Sequence, residues 1–248
     1  MKDRTKYGIG ADGQTFDWEL VEWHLVEDSI RKLRQRIFRA TVQQKWNVVR
    51  SLMKLMLKSY ANLLLSVRLV TQKNKGKRTA GIDRRLALTP KDRIALVDEM
   101  TSYKTWLAKP VKRIYIPKAN TNKLRPLGIP VIRDRVTQAI VKNALEPSWE
   151  AQFEPHSFGF RPGKGCHDAV EQCWRHFNRR GHRVWILDAD IQGAFDNISH
   201  DFILKTLGPV PGRALIKQWL LFRYRNNNHY SDSRIIPTKP RTTAKALR

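Results

Sequence analysis

Acidic residues are scarce in this 248-residue chain: 22 Asp and Glu stand against 47 Lys and Arg, a formal net charge of +25. That surplus favours a polyanionic partner, because every phosphate neutralised by a lysine or arginine releases condensed counterions. Cysteine is scarcer still. Only Cys166 and Cys173 occur, so no disulfide framework is available. Seven residues apart in a helical pattern, their Cα atoms would lie about 10 Å from each other, beyond disulfide reach. His167 and His176 lie close by, yet the spacing fits no familiar four-ligand zinc arrangement, and core packing is the expected role of both thiols. No run of about 18 apolar residues is present to cross a membrane, and the longest apolar stretch, residues 48–70, is broken by Arg50, Lys54 and Lys58. The opening Met-Lys-Asp-Arg-Thr-Lys is not followed by an apolar signal core. A soluble protein of an intracellular, nucleic-acid-containing compartment is expected, with no membrane partner. Its 41% apolar content is enough for a core, in one large domain or two small ones.

Against this basic background one acidic stretch stands out, Trp185-Ile-Leu-Asp-Ala-Asp-Ile-Gln-Gly-Ala-Phe-Asp-Asn-Ile-Ser-His200. The apolar residues 184–187 read as a buried strand that delivers Asp188, Asp190 and Asp196 near its end. Asp188 and Asp190, two apart, project to one face of a strand, where unpaired carboxylates repel each other. A hard cation such as Mg²⁺ would relieve that repulsion, since it takes one or two carboxylates and fills its other positions with water and phosphate oxygens. Pairing with the abundant Arg and Lys would relieve it equally well.

Along the chain, residues 1–17 form a glycine-bearing arm with Gly8, Gly10 and Gly13. A helix is expected from Trp18, with Val26, Ile30, Leu33 and Ile37 on one face and Arg31, Lys32, Arg34, Arg36 and Arg39 toward its end, either solvated or facing phosphates. A second helix carries Val49, Leu52, Met53, Met56, Tyr60, Leu63, Leu64 and Val67 at helical spacing, with Arg50, Lys54 and Lys58 as a stripe on another face and a candidate backbone contact. Residues 71–83 make a basic surface loop bearing Lys73, Lys75, Lys77 and Arg78, and Thr89 caps a short helix opening at Pro90. Two strands, residues 111–116 and 124–129, flank an Asn-rich connection and form a hairpin. A helix follows over residues 132–153, with Pro147 bending or ending it. The next segment, Ser157-Phe-Gly-Phe-Arg161, allows close backbone approach at Gly159 and places Phe158 and Phe160 either in a core or against a base. It is no Walker phosphate loop, because Gly-Lys-Ser/Thr is missing at the required spacing. Helices are expected over residues 169–177, after Ser199 or Asp201, and within residues 209–222. Residues 223–248 are basic, hold little periodicity and are expected to be disordered.

The wording Asp190-Ile-Gln-Gly-Ala-Phe-Asp-Asn-Ile-Ser-His resembles the first catalytic palm motif of reverse transcriptases, in the form carried by group II intron-encoded proteins. The resemblance implies that Asp190 is the metal-binding aspartate, that Ile191 joins it at the metal and nucleotide, and that Phe195 screens the incoming sugar. Asp188 precedes the motif and Asp196 is structural. Thr-Ala-Gly-Ile-Asp83 is similar to the start of the fingers, and the hairpin to the one that closes over the nucleotide, which makes Lys118 and Arg125 the triphosphate grip. Residues Ser157, Phe158, Gly159, Phe160 and Arg161 match the block lining template and nucleotide.

The implied fold is α+β: N-terminal helices and fingers over residues 18–183, then the start of a palm over residues 184–222. The implied activity is RNA-directed DNA polymerase and intron maturase, with two Mg²⁺ ions, group II intron RNA, a DNA primer and dNTPs. The resemblance runs from about residue 18 to residue 222. The Gly-Thr-Pro-Gln-Gly block and the Tyr-Ala-Asp-Asp hairpin that complete such a site do not occur. An N-terminal fragment is therefore expected, inactive alone unless a second polypeptide carries the rest. A non-catalytic RNA-binding module and a degenerate remnant are the alternatives, and the DNA immediately downstream would discriminate among them.

Overall fold

The computed structural model describes residues 17–102, 107–117, 124–178, 186–191, 197–221, 223–226, 229–232 and 242–247. It divides into two units, residues 1–151 with 207–233, and residues 152–206 with 234–248. The first unit holds the hydrophobic core cluster.

Its first helix, α1 (Trp23–Val42), begins five residues later than the sequence pattern suggests. Asp17 accepts a hydrogen bond from the Glu19 amide at 2.9 Å, a local turn that competes with helix and delays its start. Trp18 is buried ahead of the helix and packs on Trp23 at a 5.0 Å centroid distance. Val26, Ile30, Leu33 and Ile37 face inward as their spacing requires.

The long second helix expected over residues 49–67 is two helices, α2 (Trp46–Lys58) and α3 (Tyr60–Arg68). Ser59, at ψ 124°, is extended, and its hydroxyl accepts from the Asn62 amide at 3.4 Å, so it caps α3. Ending α2 there deprives the Met56 carbonyl of its usual partner four residues on. The fully buried Asn62 side chain replaces that partner, donating to Met56 O at 3.0 Å and to Ile140 O at 3.2 Å.

After α3 the chain takes a π turn (Leu69–Lys73) and a 3₁₀ turn (Lys75–Arg78) where an open loop was expected. Val70 and Thr71 are buried within it. Helix α4 (Pro90–Ser102) is capped as expected: Thr89 Oγ1 accepts from the Asp92 amide at 3.2 Å, and the Asp92 carboxylate accepts from the Thr89 amide at 3.0 Å. These bonds from Thr89 hold the Asp92 carboxyl below its ordinary pKa. Helix α5 (Ile132–Glu150) crosses α1, α2 and α3, with Pro147 buried in its last turn.

The hairpin is present as β1 (Val111–Pro117) and β2 (Leu124–Ile129), antiparallel with Ile116 opposite Arg125 and Tyr115 opposite Pro126. Pro126 is tolerated because β2 is an edge strand. The tail expected to be disordered contributes β4 (Arg223–Asn226) and β5 (His229–Asp232), extending the sheet to the order β2-β1-β4-β5. Pairing on the open edge of β1 supplies the backbone partners that periodicity in the tail did not announce.

In the second unit, α6 (Cys166–Phe177) buries no residue. Both cysteines, expected in a core, are therefore exposed, together with Val170, Trp174 and Phe177 on the same stripe. The strand expected to be buried at residues 184–187 is β3 (Ile186–Ile191), and it is exposed, with Leu187 at 73% and Ile191 at 72%. Its ladder partner is β6 (Thr242–Leu247), antiparallel, from the tail. A two-stranded ribbon offers too little neighbouring surface to cover its apolar side chains. Helix α7 (His200–Leu207) and, in the first unit, α8 (Arg213–Leu220) lie within the regions predicted to be helical, and Ser199 Oγ accepts from the Phe202 amide at 3.3 Å.

Candidate nucleic-acid interface and catalytic strand

In the first unit the basic side chains lie on surfaces whose opposite faces make the core. Burial of Val49, Leu52, Met53 and Met56 turns Lys54 and Lys58 outward, both exposed. Arg50 is half-buried and donates to Asn47 Oδ1 at 2.5 Å. Within the turns after α3, Lys75 and Arg78 are exposed, whereas Lys73 reaches Glu27 at 3.3 Å and Lys77 donates to the Gln72 carbonyl at 3.0 Å. Glu27 also receives Arg68 at 3.0 Å, so its single charge is shared between two cations.

Arg135 organises these turns and was not legible as a functional residue. Its guanidinium donates to Gly76 O at 3.1 Å and to Thr79 O at 2.6 Å. Burial lowers its pKa from the ordinary arginine value while Asp83 opposes the shift; arginine stays cationic nonetheless. Gly81, in the Thr-Ala-Gly-Ile-Asp run, passes so close to the start of α5 that an added Cβ would stand 2.7 Å from Val131 Cα. That glycine is required by close backbone approach.

On the hairpin Arg125 is exposed on β2, while Lys118 lies outside the described residues. Residues 192–196, which include Phe195 and Asp196, lie outside them as well.

In the second unit the Ser157–Arg161 segment is held by its own side chains. Arg161 donates to the Glu154 carbonyl at 2.5 Å and the Ser157 carbonyl at 2.7 Å, with its guanidinium 5.3 Å from the Phe153 ring centre. Its charge thus braces the loop. Lys164 stands 5.2 Å over the half-buried Phe158 ring. Ser157 and Gly159 are exposed, and Phe160, at φ +58°, is 99% exposed. Among the described residues nothing covers Phe160, so it does not pack in a core there.

Asp190 sits on β3, exposed, with Oδ1 accepting from the Ile191 amide at 2.9 Å. Asp188 lies on the same face of the strand, two residues earlier. Among the described residues no group of three or more His, Cys, Asp or Glu could hold a metal. Two metal ions need more carboxylate than this strand supplies, so the described residues do not fit a two-ion site. No helix among the described residues is long and apolar enough to cross a membrane.

Two family models match this chain. One, the N-terminal domain of reverse transcriptase, covers residues 18–100, and the other, reverse transcriptase (RNA-dependent DNA polymerase), covers residues 116–238. The second takes in the hairpin's β2, the Ser157–Arg161 block and Asp190 in one span. The group II intron-encoded protein LtrA of Lactococcus lactis subsp. cremoris is 40% identical over 128 residues, 51% of this chain and 21% of that protein. The chain belongs to the reverse transcriptase/maturase family of group II introns.

Protein YkfC of Escherichia coli (strain K12) is 31% identical over 196 residues, 76% of this chain and 46% of that protein. Maturase-like protein 1 of Euglena gracilis is 28% identical over 190 residues, 74% of this chain and 41% of that protein. The chain thus spans less than half the length of these curated relatives. The reverse transcriptase match ends at residue 238, not near residue 222, so β4 and β5 fall inside the family region rather than in an unrelated tail.

Proposed function

We propose that this chain acts in group II intron mobility and splicing as the RNA-gripping fingers and early palm of an RNA-directed DNA polymerase. The observation that carries the proposal is the continuous match from β2 through Asp190 on β3. Intron RNA would be held through phosphates by Arg50, Lys54 and Lys58 on α2 and by Lys73, Lys75, Lys77 and Arg78 after α3. Arg125 and Lys118 would grip the nucleotide triphosphate, Phe195 would screen its sugar, and Ser157, Phe158, Gly159, Phe160 and Arg161 would line the template. Asp190 and Ile191 would contribute to a Mg²⁺ site that further carboxylates complete. The compartment would be an intracellular one that holds the intron RNA.

The 248 residues contain no Tyr-Ala-Asp-Asp, and the uncovered apolar residues of α6 and β3 support a reading in which more polypeptide packs on the second unit. On its own the chain would bind RNA and synthesise no DNA. Asp190 as the one metal-binding aspartate of the family motif favours this binding role over autonomous catalysis.

Primer extension tests the proposal. With Mg²⁺, a primed RNA template and dNTPs, the chain alone should extend nothing. A polypeptide carrying the missing half should restore synthesis, and Asp190→Ala should abolish what is restored. Extension by the 248-residue chain alone, or restored synthesis indifferent to Asp190→Ala, would overturn the assignment. Separately, RNA affinity should fall on the order of 10³-fold between 50 and 200 mM salt, as several phosphate contacts require.

A further inference from the structure

The four cations in the turns after α3 are not equivalent. Lys73 is held by Glu27 at 3.3 Å and Lys77 by the Gln72 carbonyl at 3.0 Å, so both are engaged within the protein. Lys75 and Arg78 are exposed, and neither forms an ion pair among the described residues. We infer that Lys75 and Arg78 together form a two-cation site for RNA phosphates, and that Arg135 of α5 is the positioning residue that keeps it, without touching the RNA itself. The inference rests on the RNA-binding reading and names which cations of this segment carry it.

Both cations belong to the 3₁₀ turn Lys75–Arg78, whose period of three residues eclipses side chains at i and i+3. Lys75 and Arg78 therefore leave the turn on one side, about 6 Å apart along its axis. In an extended segment, residues three apart would project to opposite faces. The site thus exists only while the turn does. That turn cannot hold itself: it is four residues long, it buries no residue, and Gly76 within it has the most backbone freedom to lose. With no core contact to oppose unwinding, hydrogen bonds must do so. The Thr79 amide donates to Gly76 O at 3.0 Å, and Arg135 adds a brace from outside, donating to Gly76 O at 3.1 Å and to Thr79 O at 2.6 Å. A planar guanidinium fork can span two carbonyls, which the point charge of a lysine would not replace. Its donors are spent on the protein: both terminal nitrogens meet carbonyls and Nε is buried. Asp83 is the acid whose charge acts on it, so the cation of Arg135 is balanced locally rather than offered to a phosphate. The close approach of Gly81 to Val131 fixes the following segment to the start of the same helix.

The test measures binding of an RNA hairpin to the full chain as a function of salt, with amide hydrogen exchange of the free protein as the check on structure. Lys75→Gln combined with Arg78→Gln should reduce the slope of log affinity against log salt by about 2 and weaken binding roughly 10- to 100-fold at about 0.1 M salt, the share of two phosphate contacts. Arg135→Lys keeps the charge and loses the fork. It should weaken binding and flatten the slope to a similar degree, and speed exchange of the Thr79 amide while the amides of α2 and α3 stay protected. Added to the Lys75→Gln and Arg78→Gln pair, Arg135→Lys should change affinity by less than about 2-fold, because nothing is left to position. An arginine with a structural role alone would lower stability and leave the slope as it was. The inference is overturned by an unchanged slope in either variant, by an Arg135→Lys effect that persists undiminished in the combined variant, or by loss of α2 and α3 protection in Arg135→Lys; RNA binding would then rest on the α2 stripe. Absence of binding by the wild type would sink the RNA-binding reading and the two-cation site together.

Discussion

Asn62→Ala should be among the most destabilising single substitutions in the helical unit. Asn62 is fully buried, and its side chain makes four contacts: to Met56 O at 3.0 Å, Ile140 O at 3.2 Å, Asn143 Nδ2 at 2.7 Å and Ser66 Oγ at 3.4 Å. The first and third are well within hydrogen-bond range, and each is worth about 1 kcal/mol net. Truncation also leaves the Asn143 amide without its best acceptor, at a cost of about 1 kcal/mol, and opens a small void. A total loss near 3 kcal/mol follows, about 1.5 M in urea midpoint if the slope is about 2 kcal/mol per M. Far-UV circular dichroism during urea unfolding reads this directly. Ser51→Ala, which removes an exposed hydroxyl bonded to Asn47 O at 3.0 Å, is the control and should shift stability by less than about 0.5 kcal/mol. A double-mutant cycle with Asn143→Ala should show coupling of roughly 1 kcal/mol. A loss under about 1 kcal/mol with unchanged slope would refute the claim that Asn62 holds the α2–α3 break to α5.

Gly81→Ala should lower stability by about 1 to 3 kcal/mol in a thermal melt, because the new methyl meets backbone rather than a movable side chain. Gly76, with nothing within 4 Å of its added Cβ, is the matched control and should tolerate alanine with little change. A third expectation concerns pH. Burial alone would raise the Glu146 pKa, but its bonds to Lys142 at 2.9 Å and Arg34 at 2.6 Å outweigh burial and bring it below the ordinary value. A carboxyl lowered in the folded state stabilises it above the unfolded pKa and loses that contribution as pH falls through the folded value. Stability should therefore decline on the acid side of the usual glutamate range, and Glu146→Gln should flatten that limb; an unchanged acid limb would count against the pairing.

The sequence by itself determined those features that rest on neighbours along the chain. Helical spacing put Val26, Ile30, Leu33 and Ile37 on one face, Thr89 marked a cap, and an Asn-rich link between two β-forming runs marked a hairpin. The motif around Asp190 identified the family, because residue types at fixed offsets are visible without a fold. Only the tertiary structure decided which apolar faces find a partner. The stripe on α6 and the alternating residues of β3 have the patterns of buried elements, yet Trp174, Leu187 and Ile191 are exposed, since amphipathic spacing specifies a face without supplying what covers it. The break at Ser59 likewise depended on Asn62 reaching Ile140, 78 residues away in sequence. Arg135 became the brace of the Lys75–Arg78 turn, and Gly81 an obligatory glycine, only because α5 brings side chain and backbone against distant segments. Such contacts are set by the packing of the folded chain, which local propensity does not encode.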